Sequence, residues 1–365
     1  MKLHRRELLR ATLGSVGLGS VGLGSVGLGC AVGSGEGPTP RATQSTSVAE
    51  PVEPLGSTPA PSNSASALGL VGVAHGLEHG PTLLRAAAHA GGLPAVPRGG
   101  TVLLKVNTNS GDPYPYSSSP RTVALLARHY LALGAAVVVG DRSFWGDRDT
   151  RGNFESNGIA AACEAAGAEL RVFDHDEPWH ELPPLNTWVG PVRVPRLLMR
   201  ADAVINLACA KTHFISGATL GLKNVLGVIH PEDRARPGNL RSHDPEKLHH
   251  QVAEIHSVLR PMFTIIDAFD ALVAGGPTPQ SGRAPKIART GLVIAGADVI
   301  AVDAVGIGLL RREAESEEAI VRLPTWQSPI LRAAIARGLG ISAPEQLVWR
   351  SDPEFEALEA LARES

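Results

Sequence analysis

From about residue 67 to residue 350, short apolar runs alternate with stretches of helical periodicity. That alternation restricts the fold more than any other feature of this 365-residue chain. GLVGVAHG and TVLLKVN read as strands. SPRTVALLARHYLALG then reads as a helix, with Ser119 as N-cap, Pro120 at its first position and Gly134 as its stop. AAVVVGD is strand-like, NGIAAACEAAG helical and AELRVFD strand-like again. ADAVINLA and MFTIIDA are further buried strands, and GLVIAGAD precedes the helix DVIAVDAVGIGLLRR. Strand, helix, strand at this spacing predicts an α/β domain: a mostly parallel sheet with helices on both faces and Rossmann-like layering. In such sheets ligands sit beyond the carboxyl ends of the strands. Lys105, Asn107, Asp141, Asn206, Asp267 and Asp270 lie at or just after predicted strand ends. Amides and carboxylates at such places also serve simply to satisfy turns.

The first 66 residues have a different character. Arg5 and Arg6 precede Leu8 and Leu9, and an uncharged run follows from Ala11 to Gly29. It contains three copies of Ser-Val-Gly-Leu-Gly; with seven glycines in 19 residues it is too weakly apolar to favour a permanent membrane anchor. Residues 1–30 therefore read as a twin-arginine signal, which implies a twin-arginine translocase partner and folding before export. Cys30 ends the run, and Gly27-Leu28-Gly29-Cys30 resembles a lipobox except at Gly27, where an aliphatic residue is usual. Residues 31–66 are rich in Gly, Ser, Thr, Pro and Ala and cannot bury enough surface to fold. They read as a tether spanning roughly 35 Å as a flexible coil. The expected location is the periplasm or cell envelope, with a lipid anchor if Cys30 is modified. Residues 67–350 form the expected α/β domain and 351–365 a C-terminal tail helix. Net charge is −2, which gives no sign of nucleic-acid binding. Cys163 and Cys209 are the other cysteines, and their pairing does not follow from spacing. The chain contains no CxxC, so no cysteine-ligated iron–sulfur cluster is expected in it.

The most informative stretch is ACAKTHFISGATLGLKNVLGVIHPEDR. Lys211, Thr212 and His213 follow the predicted strand VINLA, and Thr219, Lys223, Asn224 and Gly227 come after. The chain has six lysines among 34 basic residues, so two in one loop motif are notable. Lysine charge and helix-start N–H groups suit a phosphate or carboxylate. The order of glycine and lysine is not that of the GxxxxGK[ST] phosphate loop, and no GxGxxG follows the first strand. Strand alternation puts Lys211 and His213 on one face and Thr212 on the other. In a purely structural role, Lys211 and Lys223 would instead pair with Glu232, Asp233 or the late aspartates.

These segments, in order, resemble the domain of unknown function 362 family. VLLKVNTN is similar to its Lys-x-Asn strand end, with Lys105 and Asn107. ADAVINLACAKTHFISGATLGLKNVLG carries its Lys-Thr-His and Lys-Asn motifs. IIDAFDALVAGGPTPQSG resembles its Asp and Gly-Pro loop, and ADVIAVDAVG its late turn with Asp298 and Asp303. The resemblance covers residues 68 to 349 and implies no particular reaction. Some relatives carry cysteine-rich ferredoxin-type segments, which this chain lacks.

His230, His243, His249, His250 and His256 cluster next. His249, His250 and His256 are candidate ligands for a divalent metal, or simply histidines of a solvated helix. There is no HExxH and no GxSxG elbow; Ser216 is the nearest hydrolase nucleophile. The expectation is an exported enzyme acting on an anionic small molecule, with metal assistance as an option. His213 and Lys211 are its candidate catalytic groups, and Lys105, Asn107, Thr212, Lys223, Asn224 and Asp267 its ligand-binding groups. The alternative is a non-catalytic ligand-binding lipoprotein using the same cleft.

Overall fold

The structure, a computed structural model, describes residues 68–144, 149–239, 245–315, 318–352 and 355–365. Arg5, Arg6, Cys30, the expected tether and His243 lie outside the described residues.

One mixed sheet organises the domain. Its strands are β1 (Leu70–His75), β2 (Thr101–Lys105), β3 (Ala136–Asp141), β4 (Glu169–Val172), β7 (Ala203–His213), β8 (Gly217–Thr219), β9 (Phe263–Ala274), β10 (Lys286–Gly296) and β11 (Val348–Ser351). A separate small ribbon pairs β5 (Trp179–Glu181) with β6 (Arg193–Pro195). The order across the main sheet is β11-β1-β10-β9-β7-β2-β3-β4, with β8 paired to β7. The run β9-β7-β2-β3-β4 is parallel throughout, while β10 is antiparallel to both its neighbours. All eleven residues of β7 are buried, as expected of a strand covered on both faces.

Helices α1 (His79–His89), α2 (Pro120–Ala132), α3 (Thr150–Ser156) and α4 (Ile159–Ala166) pack on one face. Their core includes Leu83, Leu126, Phe154 and Ile159 against Leu104, Ile205 and Ile265. After α5 (Arg196–Arg200) come α6 (Gly221–Asn224), α7 (Pro231–Ala235), α8 (Pro245–Val258), α9 (Val299–Glu313), α10 (Pro329–Ile335) and α11 (Glu356–Ala362). The opposite core joins Leu222, Val252, Val302 and Leu331 to Leu103, Val204 and Ile266. The result is the three-layer α/β architecture expected of the alternating pattern. The closing helix α11 is part of this core, since Leu358 and Ala362 are fully buried.

Local chemistry accounts for the boundaries. Pro120 opens α2 and Gly134 follows its end at φ +82°, although the Ser119 side chain makes no capping bond. Asp298 caps α9 by accepting from Ile300 N and Ala301 N, each at 3.0 Å.

One boundary differs from the sequence reading. The strand VINLA does not stop before Lys211 but continues to His213 and folds back as β8. Lys211 pairs with Thr219, Thr212 with Ala218 and His213 with Gly217, which sits at φ +75°. The antiparallel hairpin supplies backbone partners past the end of β2, so the strand outlasts its parallel neighbour.

Candidate functional site

The connection after β2 runs through α2 to β3 on one side, and the chain later returns as β7 on the other side of β2. The carboxyl ends of β2 and β7 thus flank a topological switch point, where open α/β sheets bind ligands. A cavity of about 90 Å³ opens there. Its wall includes Asn107, Lys211, His213, Lys223 and Asn224, all singled out from sequence, together with Asp141, Arg142 and Arg234.

A directional chain of hydrogen bonds ties these groups together. Lys211 Nζ donates to Asn107 Oδ1 at 2.7 Å and to the Tyr116 carbonyl at 2.6 Å. Asn107 Nδ2 donates to Asn224 Oδ1 at 2.8 Å. Asn224 Nδ2 donates to Asn206 Oδ1 at 2.8 Å, and Asn206 Nδ2 to the Gly221 carbonyl at 2.9 Å. Because an ammonium can only donate and a carbonyl only accept, both ends of the chain dictate the orientation of all three amides. Lys105, fully buried, lies behind this chain, with Nζ 2.9 Å from Asp141 Oδ1 and 2.5 Å from the Val106 carbonyl. Asp141 Oδ2 accepts from Thr108 N at 2.6 Å.

The electrostatics are lopsided. Arg142, Lys211, Lys223 and Arg234 line the cavity, against one carboxylate among the described residues, that of Asp141, which already faces Lys105. Arg142 is anchored from behind by Asp174 at 2.6 Å, and Arg234 by the Ser143 carbonyl at 3.2 Å. Burial lowers the pKa of Lys105, where Asp141 works in the opposite direction, and also that of Lys211. Lys223, half-buried, has no hydrogen-bond or ion-pair partner among the described residues, and burial plus the Lys211 charge hold its pKa well below the usual lysine range.

His213 sits on the same strand face as Lys211 and lines the cavity. Its Nδ1 accepts from Ile215 N at 3.1 Å and Ser216 N at 3.3 Å, which puts the proton of the neutral ring on Nε2. Phe214, 49% exposed, stacks on it at the mouth with ring centres 5.0 Å apart. Thr212 points away, as strand alternation requires, and its Oγ1 accepts from Gly276 N at 3.4 Å.

Four sequence readings are not met by the geometry. The helix-start N–H groups of α6 do not face a ligand, because Gly221 N and Leu222 N donate to Asp303 at 2.8 and 2.9 Å. Asp267 does not line the cavity; its carboxylate accepts from Tyr114 Oη at 2.7 Å and Thr122 Oγ1 at 2.5 Å. Asp233 and Glu232 pair with Arg193 rather than with Lys211 or Lys223. Ser216 is not poised as a nucleophile either, since its hydroxyl donates to the Ala218 carbonyl.

The candidate metal ligands on α8 also diverge. His250 is exposed, His249 is buried, and His256 Nε2 lies 2.8 Å from the Leu222 carbonyl. Among the described residues, no group of three or more His, Cys, Asp or Glu side chains is placed to hold a metal ion. Cys163 and Cys209 are both buried and free.

Sequence reasoning passed over Arg142 and Arg234. Lysine is rare here, but arginine accounts for the other 28 of the 34 basic residues, so no single arginine stands out. The available signal was adjacency: Arg142 directly follows the strand-end Asp141.

Fold and cleft together define a doubly wound α/β protein with a cationic, amide-lined site at its switch point. The chain belongs to the family described as domain of unknown function (DUF362), whose model matches residues 102–308. That span contains every basic and amide residue of the cleft named above. A thylakoid-associated protein of Synechocystis sp. is similar to the chain, with 27% identity over 215 residues, which are 58% of this chain and 64% of that protein. The match therefore spans less than two thirds of that relative's length.

Proposed function

We propose that the cleft binds a small anionic molecule and acts on it as an enzyme. Lys223 carries this reading: it is a cavity-lining ammonium donor with no acceptor among the described residues, in the same wall as Lys211, Arg142 and Arg234. Such a group is costly to bury unless a ligand completes it. Arginine side chains held from behind suit the paired oxygens of carboxylate or phosphate. His213 and the buried Asp141 put an imidazole and a carboxylate in the same wall, which favours the enzyme reading over a purely binding role.

The test is thermal melting at matched ionic strength in chloride, phosphate, sulfate and pyruvate. A ligand that binds only the folded state raises the melting temperature by mass action. Phosphate or pyruvate is expected to raise it above the chloride value, and Arg142→Gln to remove that increment. Equal melting in all four salts would overturn the proposal.

The protein is also proposed to work outside the cytoplasm, delivered by the twin-arginine route and held at a membrane through Cys30. Arg5-Arg6, the glycine-rich run and the Cys30 context support this reading. The description of the Synechocystis relative as thylakoid-associated is compatible with it.

A further inference from the structure

Lys223 differs from the other two lysines of the motif. Lys105 faces a carboxylate, and Lys211 is satisfied by an amide and a carbonyl. Lys223 has neither among the described residues, and the charge that acts on it is that of Lys211. Its backbone is nonetheless held firmly. Asp303 accepts from the two residues before it, Gly221 and Leu222, and the next residue, Asn224, is locked into the amide chain. So many fixed contacts around one unpaired amine are unnecessary for packing, but they suit a group that must meet a reacting atom.

A second unpartnered group lies close by. His249, on α8, is 8% exposed, and its Nδ1 is buried with no hydrogen-bond partner among the described residues. Burial and the nearby Lys223 charge push its pKa down to about 4, so the ring is a neutral base at physiological pH.

We propose that Lys223 is a nucleophilic amine that forms an imine with a small anionic carbonyl compound, of the 2-oxo acid class, held in the cleft. The inference rests on the anion-binding reading above and adds the reacting group to it. A carboxylate would lie against Arg142, Arg234 and Lys211, leaving the adjacent carbonyl carbon for Nζ. A cavity of about 90 Å³ suits a molecule of this size. The step balances without an oxidant. The Nζ lone pair forms the C–N bond, the carbonyl oxygen takes up a proton, and the amine releases one. The nitrogen then gives up its second proton as the hydroxyl departs with one as water and the C=N bond forms, so amine plus carbonyl gives imine plus water. His249, whose ring feels the Lys223 charge, is the neutral base assigned to take up the proton that the attacking amine releases. A lysine that is desolvated and set beside another cation is neutral more of the time, and therefore nucleophilic.

The experiment is reductive trapping. The full chain is incubated near neutral pH with pyruvate and cyanoborohydride, and labelled lysines are mapped by peptide mass spectrometry. Labelling is expected at Lys223 ahead of the exposed Lys247 and Lys286. Each unit by which burial lowers the Lys223 pKa raises its neutral fraction, and with it the labelling, by up to about ten-fold. Lys223→Arg should abolish that label while the protein still melts cooperatively. Phosphate should slow trapping at Lys223 and leave Lys247 labelling unchanged. If pyruvate raises the melting temperature but labels only Lys247 and Lys286, the cleft binds anions and the imine inference is wrong. If neither pyruvate nor phosphate raises the melting temperature, the anion-binding reading fails, and the inference fails with it.

Discussion

Gly227 lies against the Asp141 carboxylate so closely that a Cβ added to it would stand 1.9 Å from Oδ1. The same Cβ would be 3.1 Å from Lys105 Nζ. The glycine is therefore required by space rather than by backbone angle. Gly227→Ala is expected to push Asp141 away from Lys105 and to cost about 1–3 kcal/mol, the usual range for overpacking. Urea denaturation measures the loss. A variant as stable as the parent would mean that the turn Val225–Val228 yields without disturbing the ion pair.

Lys211 and Lys223 look equivalent in the sequence but should respond oppositely to loss of charge. Lys211→Met strands the buried Asn107 Oδ1 and the Tyr116 carbonyl. It should cost about 1–3 kcal/mol for each unsatisfied group. Lys223→Met removes an unpartnered ammonium and should leave stability unchanged or raise it, while abolishing the response to phosphate. Equal destabilisation of both variants, with the phosphate response retained, would show that the motif is scaffolding.

Asp303 is fully buried and holds the first turn of α6 through Gly221 and Leu222. Asp303→Asn replaces one acceptor oxygen by a donor facing another donor. It should lower stability by about 1–3 kcal/mol. Because Lys223 and Asn224 belong to the same short helix, phosphate stabilisation should weaken too. Lost stability with an undiminished phosphate response would show that α6 keeps its place without this contact.

Acid sensitivity has a sign that can be worked out. Burial lowers the pKa of both His249 and His256 to about 4, against about 6.5 in an unfolded chain. The unfolded state therefore binds more protons between those limits, so stability is full above pH 6.5 and falls as pH drops toward 4. Asp303 acts oppositely: burial raises its pKa to about 7, so stability falls as pH rises through the window from about 4 to 7. His249→Asn should flatten the acid limb of melting temperature against pH. Lys223→Met should flatten it partly, by removing a charge that opposes His249 protonation. Identical acid limbs in parent and His249→Asn proteins would contradict this account.

Export is separable from the cleft. Replacing Arg5 and Arg6 together by lysine should leave the precursor in the cytoplasm, and Cys30→Ala should release the exported protein from the membrane fraction. Normal export of the first variant, or a parent protein already soluble after export, would overturn the corresponding step.

The sequence by itself determined the layered α/β architecture, because strand and helix periodicities are local properties of adjacent side chains. It also marked Lys105, Asn107, Lys211, His213, Lys223 and Asn224, since unusual residues at strand ends are visible without coordinates. Only the tertiary structure decided what those residues touch. Lys211 meets Asn107 across 104 positions of sequence, and Asp303 meets Gly221 across 82. Partner choice over such separations depends on strand order, which no local pattern encodes. Arg142 and Arg234 reach the wall for the same reason, while Asp267 finds Tyr114 and Thr122 instead. The difference between Lys211 and Lys223 belongs to this second class. Lys211 is satisfied and Lys223 is not, among the described residues, because the chain returns beside β2 at the switch point and brings acceptors to Lys211 but sets the Lys211 charge near Lys223.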